Sequence, residues 1–155
     1  MTRSQILLAA IITPVTVSAA VDRGQVRLTP ADITALEQHA GGAGTSGVAG
    51  IRTVILSGDP TRRGPYAIQL RIPARTRIAA HTHRDDRSAV VIAGTWYFGY
   101  GARATDAGTR ALGPGSFYTE PAGEAHFAST RARPVTVIIS GNGPTDTQYV
   151  DTPTH

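Results

Sequence analysis

The sequence predicts an all-β domain, an antiparallel sandwich or small barrel preceded by one short helix. From Ile51 onward, short apolar runs recur between turns rich in glycine and proline. In the clearest run, 66–72, Ile68, Leu70 and Ile72 alternate with Gln69 and Arg71, the period of a half-buried strand. The 155 residues include 17 glycines and 10 prolines, and the length is that of one domain able to enclose a core.

The first stretch, MTRSQILLAAIITPVTVSAA (1–20), has the pattern of a secretory signal peptide. Arg3 gives a positive start, Ile6 to Val17 an apolar centre, and Val17-Ser18-Ala19-Ala20 a small-residue cleavage site. Pro14 and the short apolar length argue against a spanning helix. The expectation is cleavage near Ala19 or Ala20, a mature chain from about Val21 that is periplasmic or secreted, and no stable membrane insertion afterwards.

Residues 21–50 read as a helix and a connector. Thr29 is placed to cap, Pro30 to open and Asp32 to stabilise the first turn, while Ile33 and Leu36 make a small apolar face. His39 falls at or just past the helix end, where it reads as a C-terminal cap-type residue. GGAGTSGVAG (41–50) reads as a flexible connector. No Lys-Ser/Thr pair follows its glycines, so it is not a phosphate loop.

Residues 51–155 then carry the strands: 52–57, 66–72, 76–83, 88–94, 95–101, 117–121, 125–129, 135–141 and 147–151. Neither an internal repeat nor a second domain is visible.

Composition excludes several function classes. Without cysteine there are no disulfides and no thiolate metal sites, so a transition metal would need His, Asp or Glu. The net charge is +4, and all 15 basic residues are arginine. They are scattered, with only Arg62-Arg63 adjacent and no aromatic-interleaved stripe, so neither nucleic acid nor an acidic membrane is an expected partner.

The histidines carry the chemistry. His81 and His83, at i and i+2, share a strand face, and His126 lies far along the chain in PAGEAHF. Imidazoles converging from facing strands can hold Zn, Mn, Cu, Ni or Fe and leave positions open for water or substrate. The alternative is a barrel in which the histidines hydrogen-bond one another or water.

Two motifs made by these residues resemble those of the cupins. The first runs G-x5-H-x-H, three or four residues, Glu, six residues, Gly. His81, His83 and Gly94 match it, Arg87 stands at the Glu position and Arg75 at the leading Gly. The second, G-x5-P-x-G-x2-H-x3-N, is matched by Gly115, Pro121, Gly123 and His126, with Thr130 in place of Asn. GDP, GTWYFG and GPTDTQYVD are similar to stretches of exported single-domain cupins. The resemblance implies a double-stranded β-helix (jelly-roll) barrel with a metal centre inside.

Arg87 is the main departure. Strand parity points it inward, where it could bind an anionic substrate or a metal-bound anion. Asp85, Asp86 or Glu120 could replace the missing carboxylate; alternatively the site has lost its metal, or Arg87 pairs with the turn acids at the barrel mouth. Tyr118 and Glu120 share a face; if it is inward, Tyr118 is a candidate proton donor and Glu120 a candidate ligand or general base. Trp96, Tyr97, Phe98 and Tyr100 form an aromatic strand, one parity of which must face the core, so core packing is their reading.

Two functions follow from the resemblance. One is a metal-dependent oxygenase, isomerase, lyase or hydrolase acting on a small organic molecule, anionic or neutral. The other is a module that binds or senses a metal or small ligand without turnover. A location outside the cytoplasm tilts the metal away from Fe. An open sheet edge makes a homodimer plausible.

Overall fold

The computed structural model describes residues 25–41 and 45–150. The expected signal peptide, 1–20, lies outside the described residues. Among the described residues, no helix is long and apolar enough to cross a membrane.

Helix α1 (Pro30–Ala35) begins as expected. Thr29 Oγ1 accepts from the Asp32 N–H, and the Asp32 carboxylate accepts from the Thr29 N–H at 2.7 Å, a reciprocal cap. It is a short helix that buries no residue, and it ends before His39. His39 is therefore not a cap. Its backbone exchanges two hydrogen bonds with Thr53, each 2.8 Å, adding a bridge to the edge of the barrel.

The strands are β1 (Arg52–Ser57), β2 (Gly64–Ile72), β3 (Arg77–Thr82), β4 (Arg87–Ala93), β5 (Trp96–Tyr100), β6 (Arg110–Leu112), β7 (Phe117–Glu120), β8 (His126–Ser129), β9 (Val135–Gly143) and β10 (Gln148–Tyr149). They form two antiparallel five-stranded sheets, ordered β1-β2-β9-β4-β7 and β10-β3-β8-β5-β6, the two halves of a jelly roll. Strand β6 escapes sequence reading because only Leu112 of its three residues is even half-buried.

The inner faces interdigitate in a core that includes Ile68, Leu70, Ile72, Val91, Trp96, Phe98, Val137 and Ile139. Each such side chain contributes roughly 1.5–3 kcal/mol on burial. One parity faces inward as expected, at Trp96 and Phe98; on the other, Tyr97 lies under the Arg131 guanidinium, 4.1 Å from its ring centre.

The turns explain the motif residues that hold no metal. Gly94 has φ +81°, and a Cβ there would sit 2.3 Å from the Pro134 carbonyl oxygen. At the leading-glycine position, Arg75 adopts φ 57°, a left-handed backbone, and its N–H donates to the Arg131 carbonyl at 2.7 Å. Thr130, in place of Asn, locks the same end: its Oγ1 accepts from the Thr76 N–H at 2.9 Å and donates to the Pro73 carbonyl at 2.6 Å.

Candidate metal centre

At the other end of the barrel, the sheets bring His81, His83 and His126 together. His81 and His126 face each other directly across β3–β8. Parity alone would forbid this, because Ile78 and His81, three apart, both line the interior. A one-residue register shift between Ile78 and His81 resolves it. The bulge moves the inward phase, so His81 and then His83 turn towards the core.

His126 is delivered by the turn at 121–125. The Gly123 N–H donates to the His83 carbonyl at 2.8 Å and the Ala122 N–H to Asp86 Oδ1 at 2.9 Å, tying the two motifs together.

All three histidines are buried, and their ring centres lie 4.4–5.0 Å apart. One nitrogen from each falls within 4.8 Å of the others, a group that can hold a metal ion. Every Nδ1 is committed to a main-chain carbonyl: His81 to Ala79 at 2.7 Å, His126 to Glu124 at 3.1 Å, and His83 to Asp146. A carbonyl only accepts, so each Nδ1 carries the proton and each Nε2 presents a lone pair. Burial holds all three imidazoles neutral, pushing His81 down to about 4 and His83 to about 3, with His126 lowered as well.

Glu120 is the carboxylate at this centre. It lies opposite Arg87 in the β4–β7 ladder, buried and inward. Its Oε2 stands 3.7 Å from His83 Nε2, and its Oε1 stands 3.8 Å from His126 Nε2. Arg87 Nε donates to Oε2 at 2.6 Å, and Nη2 pairs with the same oxygen. Burial pushes the Glu120 carboxyl up, but Arg87, then His126 and His83, outweigh it and hold it below its ordinary value.

Arg87 therefore does not pair with the turn acids at the mouth. Asp85 instead accepts from the Tyr66 hydroxyl at 2.8 Å, and exposed Asp86 caps the 121–125 turn. Tyr118 shares the inward face with Glu120, and burial, then Glu120, raises its hydroxyl pKa well above the ordinary value.

The chamber lined by these residues is small, about 20 Å³. That is room for one ion or one water. Phe98 and Tyr118 also line an open groove of about 490 Å³ that contains none of the histidines. Sequence reading missed two groups beside the chamber. Ser46, in the expected connector, is buried and lines it. Tyr149 packs its ring 5.6 Å from that of His81 and donates its hydroxyl proton to the Ser46 carbonyl.

No protein-family model matches the sequence, and no curated protein matches it. Solved structures do. An RmlC-like cupin from Shewanella frigidimarina NCIMB 400 superposes with a TM-score of 0.54 over 70% of this chain and 85% of that one, at 15% identity. The chain has the cupin fold. The polyketide cyclase RemF from Streptomyces resistomycificus matches this cupin barrel over 81% of this chain and 87% of its own, with a TM-score of 0.61 and 16% identity. A DMSP lyase structure matches at a TM-score of 0.51 and 18% identity over 60% of this chain; the chain covers 47% of that protein. Identities this low establish the cupin fold and leave the chemistry to the site.

Proposed function

We propose that this cupin holds one divalent transition ion (Zn, Mn, Cu, Ni or Fe) at His81, His83 and His126 and presents it to a small organic molecule. The commitment of all three Nδ1 atoms to carbonyls carries the proposal. It leaves three Nε2 lone pairs facing inward, of which those of His83 and His126 are buried without a hydrogen-bond partner. A water molecule can donate to only two of them, whereas a metal ion accepts all three.

When bound, such an ion supplies Lewis-acid polarisation or a nucleophilic water at neutral pH. Glu120 Oε1, the oxygen that Arg87 does not occupy, is placed to join the ligand set or to take a proton. Tyr118 keeps its proton at neutral pH, so its part is donation. The metal content of the purified protein tests the proposal. The expected result is about one ion per chain, lost in both His81→Ala and His126→Ala. No metal, and no uptake of added Zn, Mn, Fe, Ni or Cu, would contradict it.

Holding a metal or small ligand without turnover is favoured by one observation, the size of the chamber, which has room for little beyond an ion. Isotope exchange separates the two functions: an ion that exchanges in minutes is open to substrate, and one retained for days is simply held. On residues 1–20 we also place the protein outside the cytoplasm. N-terminal sequencing of the exported protein should then begin near Val21, and a start at Met1 or Thr2 would contradict this.

A further inference from the structure

Strands β6 and β7 are the free edges of the two sheets, and between them lies the open groove of about 490 Å³. That volume is within the range of about 300–1,000 Å³ typical of clefts for small organic molecules. The groove shares Phe98 and Tyr118 with the metal chamber and none of the other residues lining it. Phe98 stacks on His126 with ring centres 5.5 Å apart and lies 4.3 Å from the Tyr118 ring, so the two side chains form a wall between groove and histidines.

The lining is largely apolar and carries one charge. In the β5–β6 ladder, Trp96 pairs with Leu112 and Phe98 with Arg110. Residues directly opposite in a ladder share a face, so Arg110 stands on the inner face, beside buried Phe98 and half-buried Leu112. The 3₁₀ turn Asp106–Gly108 sets where β6 starts: a Cβ at Gly99 of β5 would lie 2.4 Å from the Gly108 carbonyl oxygen. Arg110 is the one charged residue lining the groove, and among the described residues it makes no ion pair. The hydroxyls around it are already donating, that of Tyr100 to the Thr119 carbonyl at 2.7 Å and that of Thr109 to the Asp106 carbonyl at 2.8 Å. An unpaired cation therefore stands over an apolar surface rich in aromatic rings.

We infer that this groove is a binding site for an aromatic monocarboxylate, separate from the metal centre. The carboxylate pairs with the Arg110 guanidinium, whose planar fork matches it. The ring lies against Phe98, Tyr100, Leu112 and Tyr118. Every group used belongs to the chain itself, so binding does not need the ion. Arginine also guards sheet edges against pairing. That role would leave an acid and a neutral molecule of the same shape bound alike.

The test is titration calorimetry on the purified protein, metal-free and zinc-loaded, with metal content measured on each sample. The probes are 2-naphthoate, its neutral counterpart 2-naphthalenemethanol, and acetate, a carboxylate without a ring. Wild type is expected to bind 2-naphthoate saturably and equally in both metal states, and to bind the alcohol and acetate roughly fivefold or more weakly. Arg110→Gln, at an exposed position, should lower the 2-naphthoate affinity roughly fivefold, the upper end for a solvent-exposed charge pair. It should also remove the salt dependence of binding and the advantage of the acid over the alcohol. Tyr100→Ala should weaken acid and alcohol alike. No saturable binding by wild type, or equal affinity of wild type and Arg110→Gln for 2-naphthoate, overturns the inference. So does binding that requires zinc, which would place the carboxylate on the ion. A protein that binds 2-naphthoate but takes up no metal supports the groove and contradicts the metal site alone.

Discussion

At position 87 the cupin pattern expects a glutamate and the chain carries an arginine; the carboxylate stands directly across the β4–β7 ladder, at Glu120. Residue spacing made Arg87, Glu120 and the three histidines legible as candidates. It could not join 87 to 120, because that contact depends on which strands are neighbours. Removing one partner strands the other: Arg87→Leu should cost about 3–5 kcal/mol in chemical denaturation, and adding Glu120→Leu should recover most of it. A single-variant loss below about 1 kcal/mol would mean that the pair is solvated. The histidines set a pH dependence for the metal-free protein. Unfolded imidazoles take up protons near 6.5, whereas in the folded chain His81 does so only at about 4 and His83 at about 3. Between these limits the unfolded state binds more protons, so their contribution to stability is full above 6.5 and is lost as pH falls towards 3. The lowered Glu120 acts in the same direction below its ordinary value of 4.5. Denaturant midpoints measured from pH 3 to pH 7 should rise throughout, and a flat profile would contradict the burial.

At the scale of elements, alternation found most strands, and the capping pattern found the start of α1. Two features lay beyond it. The bulge in β3 is invisible in TRIAAHTH, since small residues on either side give no sign of where the phase changes. It is nonetheless what turns His81 inward beside Ile78. Deleting Ala79 should straighten the ladder and leave Ile78 and His81 two apart, both inward by plain alternation with His81 still opposite His126, so metal uptake should survive while far-UV circular dichroism reports a β protein. Abolished uptake in a folded variant would show that the extra residue does more than change the phase. The turn before β3 has Arg75 in a conformation that costs a side-chain-bearing residue about 1–2 kcal/mol. Arg75→Gly should therefore raise stability by about 1 kcal/mol in denaturant, with glycine's greater unfolded-state freedom offsetting part of the relief. A decrease would mean that the arginine side chain contributes more than its backbone costs.

At the scale of the whole molecule, the barrel was legible because its two motifs are separate stretches that meet in one sheet, His81 on β3 opposite His126 on β8, with ordinary turn chemistry between. The tail and the connector were less so. Thr45 and Ser46 looked like part of a glycine-rich linker, yet both are buried and Ser46 lines the chamber, a tertiary fact with no local signature. On the outer face, Val90 pairs with Phe117 at the β7 edge, and Phe117 is 63% exposed beside half-exposed Ile92. We place a homodimer contact there, in which a second copy covers the apolar strip. Sedimentation should show a dimer that Phe117→Arg dissociates; a wild-type monomer would contradict it. The central claim, three Nε2 atoms on one ion, is tested most directly by X-ray absorption on zinc-loaded protein. The account predicts scattering from three imidazole rings at about 2.0–2.1 Å, and loss of the zinc in His126→Ala. A first shell of oxygen with no imidazole contribution, unchanged by that substitution, would contradict it.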